Sequence, residues 1–182
     1  MRYIDILPMG DIEPDISNFL SRHLVELFPY EIRNLKPIAK PIYAFNFIRN
    51  QYFSSKVLNE LVKHTSPDTM KILGVVDVDL YIPIFSHVFG EAHLRGKAAV
   101  ISLYRLRPEF YGLELNRELL FNRVIKGAIH ELGHTFGLTH CLNVNCVMYF
   151  SHSIWHTDVK KSSFCEECQR VISPHFILQE ET

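Results

Sequence analysis

The segment His130-Glu131-Leu132-Gly133-His134-Thr135-Phe136-Gly137-Leu138-Thr139-His140 constrains this chain more than any other stretch of it. Residues four apart on a helix stand one above the other, so His130 and His134 present two imidazoles to a single point. Gly137 supplies a turn, because glycine adopts the left-handed conformation that ends helices at little steric cost. His140 can then fold back toward the same point. Three neutral imidazoles suit zinc and leave one tetrahedral position open. Glu131, about 100° around the helix from His130, can reach a metal-bound water without taking a coordination position. It is the candidate general base for attack on a carbonyl, since zinc lowers the pKa of its bound water to about 7. A bare His-Glu-x-x-His occurs by chance in unrelated helices; the extension through Gly137 and His140 gives the segment its weight.

The remaining pattern has to deliver that helix. Phe121, Ile125, Ala128, Ile129, Leu132 and Phe136 recur at helical spacing and predict a helix over 116–136 with His130 and His134 outside its core-facing stripe. Upstream, residues 3–7 alternate as a strand. A helix opens at Pro14, carries Ile16, Leu20, His23, Leu24 and Leu27 inward, and stops before Pro29. Residues 40–47 read as a strand that Pro41 restricts to an edge or a strand start. A second helix runs from Ser54 or Ser55 toward Pro67. Residues 71–80 read as a strand covered on both faces, because Ile72-Leu73-Gly74-Val75-Val76 is continuous rather than alternating, and this argues for an α/β sheet. Residues 82–96 read as a loop with a short strand at 85–89, and 97–105 as a further strand.

A chain of 182 residues that is 47% hydrophobic fits one domain with its own core, spanning residues 1–182. Within it, an N-terminal subdomain of residues 1–137 ends in the histidine helix, and residues 138–182 form a C-terminal subdomain. With 19 basic and 20 acidic residues, no overall field draws the chain to nucleic acid or an anionic membrane, and neither is expected as a partner. No apolar run approaches the roughly 20 residues that span a bilayer. The start Met1-Arg2-Tyr3-Ile4-Asp5-Ile6-Leu7-Pro8 does not read as an export signal, so a cytoplasmic address and a monomer are the expectations. The polar tail Gln179-Glu180-Glu181-Thr182 is expected to fray.

All four cysteines, Cys141, Cys146, Cys165 and Cys168, fall in the last quarter of the chain. In a reducing compartment such clustering favours a closed structural zinc site of four thiolates, which would supply folding free energy and fasten the tail beside the histidine helix. Two disulfides or four buried thiols are the alternatives.

Taken together, His-Glu-x-x-His-x-x-Gly-x-x-His-Cys, then Cys146-Val147-Met148, then Cys165-Glu166-Glu167-Cys168, resemble the archaemetzincin family of zinc peptidases. The motif covers residues 130–168, while the first hundred or so residues match by the order of their strands and helices. The resemblance implies an α/β (α+β) metzincin fold: a twisted mixed β-sheet with an antiparallel edge strand, packed helices, a long active-site helix and a small zinc-stapled C-terminal subdomain. By that analogy residues 97–104 are the edge strand, to which an extended peptide could add by β-augmentation.

The resemblance also implies two zinc ions per chain, one catalytic on His130, His134 and His140 and one structural on Cys141, Cys146, Cys165 and Cys168. Met148 matches the family's Met-turn, a thioether packed beneath the metal site. Tyr149, directly after it, points another way and is expected to be a packing residue. The implied activity is hydrolysis of peptides or proteins, with an aminopeptidase or short-peptide hydrolase favoured; Glu91, Glu109 and Glu114 are available to hold a substrate amine. The competing function is a catalytically silent, zinc-stabilised module that binds peptides or proteins, which would have no need of Glu131. Among the remaining histidines, only His152 and His156, one helical turn apart, are candidates to line the cleft.

Overall fold

The structure, a computed structural model, describes residues 2–177; the tail residues 179–182 lie outside the described residues. In chain order the elements are β1 (Tyr3–Met9), α1 (Pro14–Leu24), β2 (Glu31–Asn34), β3 (Phe45–Asn46), β4 (Gln51–Phe53), α2 (Ser54–Lys63), β5 (Thr69–Val76), β6 (Leu80–Tyr81), β7 (Gly90–Ala92), β8 (Ala98–Ser102), α3 (Arg117–Thr135), α4 (Ile154–Val159), α5 (Glu166–Ile172) and α6 (Pro174–Ile177). The main sheet has the order β2-β1-β5-β8-β7, with every neighbour parallel except β7, which runs antiparallel to β8. A small second sheet joins β3, β4 and β6.

The two faces of the main sheet bury different residues of the same strands, as the two-residue period of a strand requires. Ile72 and Val76 of β5 and Ala98 and Val100 of β8 pack against Val57, Leu58 and Leu61 of α2. Leu73, Val75, Ala99 and Ile101 turn the other way, onto Val124, Ala128, Ile129 and Leu132 of α3 and Leu20 and Leu24 of α1. That double cover is the reason the central strands read as unbroken apolar runs. The one charge buried in β1, Asp5, is paired with Arg33, its cross-strand partner on β2, at 2.7 Å.

Several sequence expectations need correcting. Residues 97–104 are not the edge strand: β8 lies between β5 and β7, and all five of its residues are buried. The antiparallel edge is β7, three residues inside the segment read as a loop and displaced from the expected 85–89. Residues 40–47 hold only the two-residue β3, preceded by a 3-10 turn at Ile42–Ala44, whereas the polar β2 went unread. The strand expected over 71–80 breaks after Val76, where Asp77 and Asp79 turn out to pair with Arg107 and Arg105, and resumes as β6.

The long helix matches its pattern closely. Asn116 caps it, its side chain accepting from the Leu119 N–H at 2.9 Å. At the other end Gly137 adopts φ +96°, the Leu138 N–H reaches the Gly133 carbonyl at 3.1 Å, and the Gly137 N–H reaches that of His134 at 2.9 Å. This is a Schellman ending, and it reverses the chain under the last turn of α3. Among the described residues no helix is long and apolar enough to cross a membrane.

Candidate active site

The reversal at Gly137 brings the three histidines together. Their ligand nitrogens all lie within 4.8 Å of one another, with Nε2 of His130 and Nε2 of His134 at 3.2 Å. Both helical imidazoles are oriented from behind: Nδ1 of His130 is 2.8 Å from the Val147 carbonyl and Nδ1 of His134 is 2.7 Å from that of Leu138. An Nδ1–H donating to those carbonyls leaves each Nε2 as a bare lone pair aimed at its neighbour. Two lone pairs so close repel unless a cation lies between them. Tetrahedral zinc, with Zn–N distances of about 2.0–2.1 Å, sets its nitrogens about 3.3 Å apart, so the donor set fits that ion.

Electrostatics favour the same state. Burial is the leading reason that His130 and His134 lie below the usual histidine range and that His140 is pushed down to about 4, and the nearby ammonium of Lys160 adds in that direction. The imidazoles are therefore neutral at physiological pH and available as ligands. Burial acts oppositely on Glu131, whose carboxyl is pushed up to about 8; Lys160 pulls it down and Glu91 adds to the rise.

Met148 is fully buried, and a Cβ added to Gly133 would fall 2.6 Å from its sulfur, so the thioether packs directly against the turn of α3 between the two helical histidines. Phe150, two residues on, packs against His140 in a tilted arrangement with ring centroids 4.6 Å apart. Tyr149 instead packs on His156 at 5.9 Å.

The four cysteines form a second convergence. Their sulfurs lie within 4.8 Å of one another, with Cys141 to Cys165 and Cys146 to Cys168 each at 3.7 Å. These separations are far beyond a disulfide bond of about 2.05 Å. They are close to the roughly 3.8 Å between sulfurs of a tetrahedral zinc with Zn–S bonds of about 2.3 Å. The Cys141 N–H bonds the Met148 carbonyl at 3.0 Å, which ties this cluster to the floor of the histidine site.

A cleft of about 430 Å³ opens over the histidines. Val88, Phe89 and Leu94 make its wall on the edge-strand side, and Phe150, Thr157 and Lys160 face them. Glu91 belongs to this wall, although its carboxylate already accepts hydrogen bonds from the hydroxyls of Ser54 and Ser55, the latter at 2.8 Å, at the start of α2. Glu109 and Glu114 do not line the cleft; of the histidine pair, His152 does and His156 does not.

Sequence reasoning missed Lys160. It is buried, donates to the Tyr149 carbonyl at 3.1 Å, and is held near the site because Arg123 and Lys126 of α3 grip Asp158, two residues earlier. In the sequence it is one of two adjacent lysines, and nothing in its spacing separates it from an exposed charge.

Residues 15–173 match the model of peptidase family M54. The class that fold and site define is that of the zinc metallopeptidases, hydrolases whose substrates are peptides or proteins. The archaemetzincin of Methanocaldococcus jannaschii is 48% identical over 166 residues, spanning 91% of this chain and 89% of that protein, and the archaemetzincin of Pyrococcus furiosus is 40% identical over 173 residues, 92% and 90%. Among solved structures, archaemetzincin from Archaeoglobus fulgidus complexed with malonate superposes with a TM-score of 0.81 at 36% identity, covering 93% of this chain and 99% of that one. A zinc-dependent peptidase from Methanocorpusculum labreanum gives a TM-score of 0.84 at 29% identity, again over 93% and 99%. The chain belongs to peptidase family M54, the archaemetzincin family. Membership in a peptidase family sets aside the non-catalytic binding module.

Proposed function

We propose that this chain is a two-zinc metallopeptidase that shortens small peptides from their amino ends, with Glu131 as general base. The observation that carries the reading is the placement of the Glu131 carboxylate in the same cleft as three convergent, neutral imidazoles. His130, His134 and His140 would hold the catalytic ion, and Cys141, Cys146, Cys165 and Cys168 the structural one. Held by those imidazoles, zinc would supply polarisation of a carbonyl and a lowered pKa, about 7, for water at the open position.

The protein groups then have separate tasks. Glu131 takes a proton on a carboxylate oxygen during attack and returns it to the departing amine; its raised proton affinity suits both halves of that exchange. Phe150 holds His140 against the cleft, and Met148 supports the turn of α3 that spaces the other two imidazoles. The substrate backbone is received by β7. Phe89 and His93 bond inward to Ser102 and Ala98, so in an antiparallel ladder the alternate residues Gly90 and Ala92 offer their N–H and C=O groups outward.

Residues 1–182 make one catalytic domain, with 1–137 and 138–182 as its subdomains. A single core in which Leu138, Val147, Met148 and Ile172 join residues of β1, α1 and α3 supports the reading of one domain. A cytosolic address suits a set of four thiolates.

Matched short peptides with free and acetylated amino ends test the proposal, together with the zinc content of His140→Ala. The expected result is cleavage of the free peptides alone and the loss of one zinc of two in the variant. Equal cleavage of the acetylated peptides contradicts the amino-end reading, and an unchanged zinc count removes His140 from the ligand set.

A further inference from the structure

We propose that Gly90 is a positioning residue for Glu131: its lack of a side chain is what allows the carboxylate to lie directly against the edge strand that receives the substrate. The inference rests on the reading of Glu131 as general base. A Cβ built on Gly90 would fall 2.7 Å from Cγ and 2.8 Å from Oε1 of Glu131, and 2.6 Å from the Val100 carbonyl oxygen. Cβ atoms essentially never come within 3.0 Å of heavy atoms beyond their own chain neighbours. The Glu131 side chain is buried at the base of the cleft, so moving aside would carry its carboxylate away from its place beside the histidines.

Gly90 thus works on two sides. Its main-chain groups face the free edge of the sheet, where the alternation of the ladder leaves them unused by β8. Its α-carbon forms the wall on which the Glu131 carboxylate rests. A peptide paired to that edge would therefore be separated from the base by a single backbone thickness. The strand cannot easily yield to make space, because the next residue, Glu91, is bound to Ser54 and Ser55 at the start of α2. The chain of support runs from α2 through Glu91 to the backbone at Gly90 and so to Glu131.

The test combines kinetics with a stability cycle. Gly90→Ala is compared with wild type for kcat and KM on a short peptide with a free amino end that the wild type cleaves, for zinc per chain, and for unfolding temperature. The expected result is a kcat lower by roughly 10- to 100-fold, the scale set by sub-ångström to ångström misplacement of a reacting group, with KM within about twofold and both zincs retained. Unfolding temperatures are then measured for Glu131→Ala and for the double variant. The destabilisation caused by Gly90→Ala should shrink by at least half when Glu131 is truncated, because the colliding atoms are gone. A Gly90→Ala chain that folds only in the Glu131→Ala background reports the same collision. Wild-type kcat in Gly90→Ala, or an equal loss of stability in both backgrounds, would overturn the proposal and place the requirement in the ladder with Val100; failure of both Gly90 variants to fold has the same meaning. If instead Glu131→Ala itself keeps wild-type activity, the general-base reading fails, while the stability cycle still reports whether the two residues touch.

Discussion

The ammonium nitrogen of Lys160 lies 3.4 Å from Nδ1 of His130, although thirty residues separate them in the chain. Both groups are buried, and the lysine's own pKa is pushed down to about 8 by that burial, with Glu131 acting in the opposite direction. Lys160 is therefore a cation kept inside the cleft wall, and its charge offsets part of the rise that burial imposes on the Glu131 carboxyl.

Replacing Lys160 by methionine removes the charge and keeps the bulk. The carboxylate form of Glu131 then becomes harder to maintain, so its pKa rises further. A fall in kcat/KM of about tenfold is expected at neutral pH, with the acid limb of the pH profile moved to higher pH and the zinc content unchanged. A pH profile superimposable on that of the wild type would remove Lys160 from the account.

Lys71, near the start of β5, donates to the carbonyls of Gly96 and Thr135 at 2.8 and 2.7 Å, the latter in the last turn of α3. Burial pushes its pKa down to about 8, against about 10.4 in an unfolded chain. Between those values the unfolded state binds more protons than the folded one. Stability contributed by this group therefore rises as pH climbs from about 8 to about 10.4, and the penalty for the buried charge is full below about 8. The stability of wild type relative to Lys71→Met, measured by urea unfolding, should increase across that window and stay flat between about pH 6 and 7. An increase confined to acidic pH would contradict the assignment.

Serine at Cys165 and Cys168 should remove one zinc per chain and destabilise the fold by several kcal/mol, on the scale of structural zinc sites. Because Cys141 is bonded to Met148 beneath the histidine site, kcat should fall with stability rather than independently of it. Retention of two zincs by the double variant would sink the four-thiolate site.

What the sequence revealed follows the range of the forces involved. The helix α3 was legible because its stripe and its Gly137 ending are both local. The convergence of His130, His134 and His140 could be read because one helix and one turn position all three. The four cysteines were legible as a group because they cluster in the last quarter of the chain and share one chemistry. The edge strand was not. Gly90-Glu91-Ala92 is too short to show alternation, and its strand character comes from pairing with β8. The analogy that placed the edge at 97–104 overrode a local signal, since Ala98-Ala99-Val100-Ile101 is as continuously apolar as the core of β5, and β8 is likewise covered on both faces. Lys160 was invisible for another reason. Its burial is set by Arg123 and Asp158, a contact between α3 and α4 that no periodicity announces.

The central claim is that Glu131 acts as the base beside a zinc held by three histidines. Zinc content and cleavage of a peptide library, measured in parallel on wild type and Glu131→Gln, test it most directly. The account predicts two zincs in each protein and cleavage by the wild type alone, with the variant slower by at least about 100-fold. Comparable cleavage by both, or no cleavage by a wild type carrying its full zinc, would contradict it.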